Sequence, residues 1–374
     1  MLRAAIVTPN LTLGGAERWV VSLVKSADPS RLRWTGVVVN GWGGAERSLC
    51  QEINELVPLY CNFVQQSQRI HSRPFDYSSF AEIHSSLPEA VAHACDDADV
   101  LLAWGGPDIS TWLPPLTIPV VLTSHTTEQS NGAGPVQGAT HLAAVSHAAA
   151  RFFRGRGVDH LPITVIYNGA EVERCRPRVG RERQRDAWGV ADTDVVVGYI
   201  GRQSREKNPR AAIDSIAQLP PQFKAVYCGE PSIRPQDVDL NLREYAAERA
   251  PGRVIFMASV PAVGDVLAGL DVVMLASHRE AFSLTLIEAW IAGVPVVATP
   301  VGSVPELQRE YGSLVNEVPV NPTPAELGEA VCRATSADGR DIASHAQQLA
   351  LCEFTCEKMV ERWTNYFEHL SKPN

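Results

Sequence analysis

Two glutamates separated by seven residues stand within Glu280-Ala-Phe-Ser-Leu-Thr-Leu-Ile-Glu288-Ala-Trp290. A helix is expected over Leu284–Ala292, with Ser283 as its N-cap, so that the amides near Leu284 and Thr285 face any bound anion. Glu280 then lies in the loop ahead of the helix and Glu288 on its second turn. Each carboxylate can accept hydrogen bonds from vicinal hydroxyls, the groups that a sugar and a ribose present. Without a ligand, the same residues are a loop carboxylate and a helix glutamate stabilised by the macrodipole. Arg202 and Lys207 follow an apolar strand and precede a helix. Two fixed cations there can stabilise a departing diphosphate without a metal, although alone they would pass for solvated surface charges. Gly14-Gly15 follows the first strand and opens a helix, where backbone and free N–H groups can come close to a phosphate. That loop is not Gly-x-Gly-x-x-Gly, which weighs against a nicotinamide enzyme, and by itself it is equally a turn.

These residues need elements to hold them. Strands are expected at Ala4–Thr8, Thr35–Asn40, Val57–Phe63, Asp99–Ala103, Val120–Ser124, His141–Val145 and Thr164–Ile166. Helices are expected between them at Ala16–Ser26, Ala45–Leu56, Ser78–Ala94 and His147–Gly155. Strands resume at Val195–Ile200, Lys224–Cys228, Arg253–Met257, Val272–Leu275 and Val294–Ala298, with helices at Asn208–Leu219, Leu284–Ala292, Ala325–Ala334 and Cys356–Leu370. The runs are apolar throughout rather than alternating, as in parallel strands buried on both faces. The fold class is therefore α/β, doubly wound. Ligands of such sheets lie beyond the carboxyl ends of the strands, where the loops above fall. Between the halves, the Pro-, Gly- and Arg-rich stretch 168–190 reads as a solvated connector, or as a surface attracted to phosphate.

Composition limits the functions further. With 374 residues the chain is long enough for two domains, and 45% hydrophobic with 20% charged residues suits ordinary soluble cores. The formal net charge is -9, so a bulk polyanion such as nucleic acid is not an expected partner. The 8 cysteines form no CxxC pair, and they read as reduced thiols of a cytoplasmic protein rather than as a metal site. No apolar run approaches the ~18–20 residues of a spanning helix, and Met1-Leu2-Arg3 leads into a strand rather than a signal peptide.

The spacing of Glu280 and Glu288, with the sequence running on through Ala-Gly-Val-Pro-Val-Val-Ala-Thr299, resembles the signature of retaining glycosyltransferases of family 4. Further segments extend the resemblance along almost the whole chain: Gly14-Gly15-Ala16-Glu17, Ala144-Val145-Ser146, Val165–Glu171, Gly201-Arg202 with Lys207, and Leu270–Ser277. It implies the GT-B fold, two Rossmann-like domains facing across a cleft. The expected boundaries are 1–170 for the acceptor-side domain, 171–190 for a linker, 191–354 for the donor domain, and 355–374 for a helix returning to the first domain. It also implies transfer of a sugar from a nucleoside diphosphate sugar, with UDP or GDP expected, to a glycan, lipid-linked or small-molecule acceptor, without a metal or other cofactor.

The resemblance also implies roles. Arg202 and Lys207 would hold the diphosphate and Glu288 the ribose, while Glu280 and the amides around Phe282, Ser283 and Leu284 would grip the donor sugar. Gly14 and Gly15 would approach the phosphates and the acceptor side, and Met257 and Thr285 complete the donor-binding set. His125 matches a histidine placed near the donor sugar; alone it would be a satisfied residue at a strand end. The catalytic set is thus His125, Arg202, Lys207 and Glu280. Departures fall in the loops that choose nucleotide and sugar: Ser283 for a frequent glycine, Gly229-Glu230-Pro231 for Gly-x-Gly-Pro, Ala258 for glycine and Ala276 for proline. The resemblance also implies polysaccharide or glycolipid biosynthesis, since many members of the family glycosylate lipid carriers at the cytoplasmic membrane face. Arg151-Phe152-Phe153-Arg154-Gly155-Arg156 is accordingly one candidate for peripheral contact with the inner membrane, against the alternative that its rings are core. A nucleotide-sugar epimerase and a non-catalytic nucleotide-sugar-binding protein remain the competing readings.

Overall fold

A computed structural model describes residues 1–12, 14–41, 44–62, 77–127, 134–231 and 241–371. The chain forms two compact units, Met1–Gly169 with the segment from Cys356 onward, and Ala170–Thr355.

The first unit is built on β1 (Leu2–Thr8), β2 (Leu32–Val39), β3 (Leu59–Asn62), β4 (Glu82–His84), β5 (Val100–Trp104), β6 (Val120–Ser124), β7 (His141–Ala144) and β8 (Ile163–Val165). Their order is β4-β3-β2-β1-β5-β6-β7-β8, with every pairing parallel. The second unit has β9 (Val195–Ile200), β10 (Phe223–Cys228), β11 (Val254–Met257), β12 (Val272–Leu275), β13 (Val296–Ala298) and β14 (Asn316–Glu317), in the order β11-β10-β9-β12-β13-β14 and again parallel. Helices connect the strands, which is why the central strands are continuous apolar runs: Ala4 to Val7 and Val272 to Met274 are wholly buried. The second order is that of a Rossmann sheet. Its winding reverses between β9 and β12, and the first sheet's between β1 and β5. In open α/β sheets, ligands bind beyond the carboxyl ends of the strands at such a reversal point.

Helix Cys356–Leu370 completes the first unit rather than the second. Met359, Val360, Trp363 and Phe367, at spacings of one, three and four, enter the first unit's core. Trp363 lies 5.9 Å from Trp19, and Phe367 meets Trp34 edge-on at 6.2 Å. In the second unit Tyr199 stacks on Tyr227 at 4.7 Å. Both phenols end on backbone carbonyls beyond β9, Tyr199 on Arg202 at 2.9 Å and Tyr227 on Pro209 at 2.6 Å. Two buried hydroxyls thereby brace the loop and helix that follow β9.

Three expectations need correction. Ser78–Ala94 is not one helix: a short 3-10 turn, Tyr77–Ser79, leads into edge strand β4, and the helix spans only Leu87–Cys95. Ser86 starts it, its side chain accepting from the Glu89 amide, with Pro88 in the first turn. The Arg-rich stretch is not a solvated connector. It folds onto the second unit as helices Val172–Cys175 and Arg181–Trp188. Arg185, 1% exposed, donates to the carbonyls of Gly269, Ala191 and Asp194 and to Asp271, and Arg181 pairs with Asp271 at 2.5 Å. Nor can Phe152 and Phe153 dock a membrane, because both are 1% exposed and pack edge-to-face at 5.3 Å. Arg156 lies over the Phe152 ring at 4.4 Å, so this segment's rings serve its own fold. Among the described residues, no helix is long and apolar enough to cross a membrane.

Candidate active site

The loops after β9 and β12 meet at the second sheet's reversal point. Lys207 ends a short 3-10 turn, Arg205–Lys207, and its Nζ lies 2.5 Å from Glu280 Oε1. The same oxygen accepts from Ser277 Oγ at 2.9 Å. The His278 amide donates to the Glu206 carbonyl at 2.8 Å, so main chain as well as side chain ties the two loops. Helix Leu284–Ile291 starts at Ser283, whose side chain accepts from the Leu286 amide. Thr285 Oγ1 donates to the last carbonyl of β9, that of Ile200, at 3.4 Å. Lys207, Glu280, Ser283 and Thr285 therefore lie on segments tied to one another, and Arg202 lies on the same loop after β9.

Glycine makes the loops' close approach feasible. Gly229 follows β10 with φ 145°, and a Cβ there would collide with the Gly201 carbonyl. The contact is reinforced by Gln203, whose amide donates to the Glu230 carbonyl and whose Nε2 donates to that of Gly229 at 2.8 Å. Gly302, in the left-handed region at φ 61°, lies under Glu280: a Cβ would meet the Glu280 Cβ and carbonyl at 2.8 Å. Neither position accepts a larger residue without moving a loop of the site.

The electrostatics are uneven. Glu280 and Glu288 side chains are each 11% exposed and each have a cation beside them, Lys207 and Arg174. Arg202, 46% exposed, stands 3.6 Å from Glu206 and is the more open cation. At the end of β10, burial pushes the Cys228 thiol up to about 11, with Glu288 and Glu230 adding to the effect, so it is no nucleophile near neutrality. Met257 closes β11 and takes the Gly229 amide on its carbonyl at 3.2 Å. Phe282 is buried and 6.3 Å from Phe354, which makes its ring part of the packing.

Gly14, Gly15 and His125 belong to the first unit. Gly14 precedes helix Gly15–Lys25 in extended conformation, and a Cβ there would strike the Glu17 carboxylate. His125 follows β6 with its ring 4.2 Å from Trp19 on that helix and 5.9 Å from Trp104. The residue keeps partial exposure, but its Nε2 is fully buried, with no hydrogen-bond partner among the described residues. Burial pushes the imidazole down to about 3, and it is neutral at pH 7. Two partners carry no signal of their role in the sequence: Ser277, which bonds Glu280, and Arg174, whose place beside Glu288 no local spacing indicates. Among the described residues no group of three or more His, Cys, Asp or Glu is arranged to hold a metal ion.

Residues 180–337, within the second unit, match the family Glycosyl transferases group 1. The lipopolysaccharide core biosynthesis mannosyltransferase LpsB of Rhizobium meliloti is 32% identical over 159 residues, 41% of this chain and 45% of that protein. D-inositol 3-phosphate glycosyltransferase of Corynebacterium jeikeium is 34% identical over 154 residues, 38% of this chain and 36% of that protein. The chain thus spans less than half the length of these relatives. The crystal structure of Anabaena HepE in complex with UDP-glucose superimposes with a TM-score of 0.76 at 20% identity, covering 99% of this chain and 100% of that one. The fold is α/β, of the GT-B class with two Rossmann-like units.

Proposed function

We propose that this chain is a metal-independent, retaining glycosyltransferase resembling family 4, which moves a sugar from a nucleoside diphosphate sugar to an acceptor hydroxyl. The observation that carries the reading is the Lys207–Glu280 pair at the reversal point between β9 and β12, within the group 1 domain. A cation for a diphosphate, a carboxylate for sugar hydroxyls and the amino end of Leu284–Ile291 stand together where such sheets bind ligands. Arg202 and Lys207 hold the diphosphate, Glu288 the ribose, and Glu280 with the amides of Phe282–Leu284 the sugar.

In this mechanism the bond between the sugar's anomeric carbon and the diphosphate oxygen breaks through an oxocarbenium-like state. The acceptor oxygen bonds to that carbon on the same face, and its proton passes to the departing phosphate. Negative charge on the leaving group is greatest in the transition state, and Arg202 and Lys207 act there. UDP and GDP sugars are the expected donors. UDP-glucose in HepE and the mannosyl- and inositol phosphate glycosyltransferase names of the relatives support a hexose donor and a sugar or polyol acceptor.

The test is a panel of UDP-, GDP-, ADP- and dTDP-hexoses, recording nucleotide release with and without sugar acceptors. Selective release that increases with acceptor, and is lost in Glu280→Ala, is the expected result. Conversion of the donor sugar with no nucleotide released would instead identify an epimerase.

A further inference from the structure

The Arg-rich stretch that proved folded ends on the site itself. From helix Val172–Cys175, Arg174 sends Nε to the Pro261 carbonyl at 2.9 Å and Nη1 to Glu288 Oε1 at 3.4 Å. The segment after it is fastened to the same region. Asp265 Oδ1 accepts the amides of Arg178 and Val179 at 2.5 and 2.9 Å. Gly264 opens helix Gly264–Gly269 against the Arg176 carbonyl so closely that a Cβ would clash. Arg174 is thus held at its backbone, and its planar fork spans two elements: the loop after β11 and the helix of Glu288.

We propose that Arg174 is a positioning residue for nucleoside recognition, holding the Glu288 carboxylate in the orientation that receives the ribose hydroxyls. The inference rests on the donor-site reading above and deepens it. Glu288 is 9% exposed. A carboxylate so placed needs a cation or several donors beside it to remain charged, and a charged acceptor binds a hydroxyl pair more strongly than a neutral one. A guanidinium bonded at Nε to a carbonyl cannot rotate freely, so the carboxylate it contacts is restrained as well. The same fork links Glu288 to Pro261, just beyond the β11 end that carries Met257, and so joins the Glu288 helix to the loop following that strand.

The experiment measures binding of UDP and GDP, each beside its 2′-deoxy form, and of inorganic pyrophosphate, by titration calorimetry on the full chain. The wild-type protein is expected to prefer one ribonucleotide over its deoxy form by about tenfold, the size of one charge-assisted hydrogen bond. In Arg174→Ala that preference falls towards one while pyrophosphate affinity stays within about twofold. Arg174→Lys, which keeps the charge but not the fork, recovers only part of the preference. Two results overturn the proposal: Arg174→Ala retaining the full ribose preference, or losing pyrophosphate binding in the same proportion, which marks general damage. A wild-type protein that binds no nucleotide overturns the donor-site reading and this inference with it; one that binds without ribose preference overturns this inference alone.

Discussion

Replacing Lys207 with alanine removes the cation nearest Glu280 and should act on both stability and turnover. The pair is 2.5 Å apart, with side chains 24% and 11% exposed. Removing one member of a fully buried pair costs about 3–5 kcal/mol, because the other charge is left uncompensated. Here Ser277 Oγ remains 2.9 Å from the same carboxylate oxygen and offsets part of that loss. Partial exposure lets water supply more, so the expected destabilisation is about 1–3 kcal/mol. The double variant Lys207→Ala/Glu280→Ala leaves no orphan charge and should recover part of it, giving a coupling energy of about 1–2 kcal/mol in a double-mutant cycle. Turnover should fall by about 10²–10³, the effect of losing one preorganised electrostatic contact. Calorimetric unfolding gives the first quantity and nucleotide release under saturating donor the second. Additive unfolding shifts with wild-type turnover would refute the reasoning at both levels.

Other consequences can be checked independently. His125 is held at about 3, below its ordinary 6.5, so the unfolded chain binds the extra proton between those values. Its contribution is therefore absent above pH 6.5, and stability falls as pH drops below it, with a slope of up to about 1.4 kcal/mol per pH unit. A His125→Leu variant should flatten that acid limb, and an unchanged limb in calorimetric scans would count against burial as the cause. Phe153→Ala should cost about 3–5 kcal/mol as a core truncation, seen as a lower melting temperature, while flotation with anionic vesicles stays as in the wild type. Gly229→Ala forces a side chain to φ 145° and into the Gly201 carbonyl; it should cost at least about 1–3 kcal/mol and weaken nucleotide binding, and wild-type affinity would contradict the loop contact. Arg185→Ala leaves the carbonyls of Gly269, Ala191 and Asp194 without that donor while Asp271 keeps Arg181, and it should lower stability by about 1–3 kcal/mol in calorimetry.

What was legible in the sequence follows from where the signals originate. Val120–Ser124, Val195–Ile200 and Val272–Leu275 have the expected bounds, since a parallel strand covered on both faces writes a continuous apolar run. Helix Leu284–Ile291 was equally visible because Ser283 marks its start. Strand β4 was not, because its Glu82 and Ile83 are exposed at the sheet edge and only His84 is buried. The signal that should have divided Ser78–Ala94 was present in Ser86 and Pro88, a helix start within the supposed helix. The Arg-rich stretch misled for a different reason. Arginine composition alone speaks for solvent, whereas Arg185 and Arg174 donate to carbonyls and carboxylates up to 114 residues away. The site was visible as residue types after strands. Its wiring, Ser277 on Glu280 and Arg174 on Glu288, is a product of tertiary structure.

The most direct measurement is a crystal structure of the chain with UDP or GDP. The account predicts the diphosphate at Lys207 and Arg202, before the amino end of Leu284–Ile291, with the ribose hydroxyls on Glu288. Nucleotide bound elsewhere, with the Lys207–Glu280 pair undisturbed and Glu288 untouched, would contradict it.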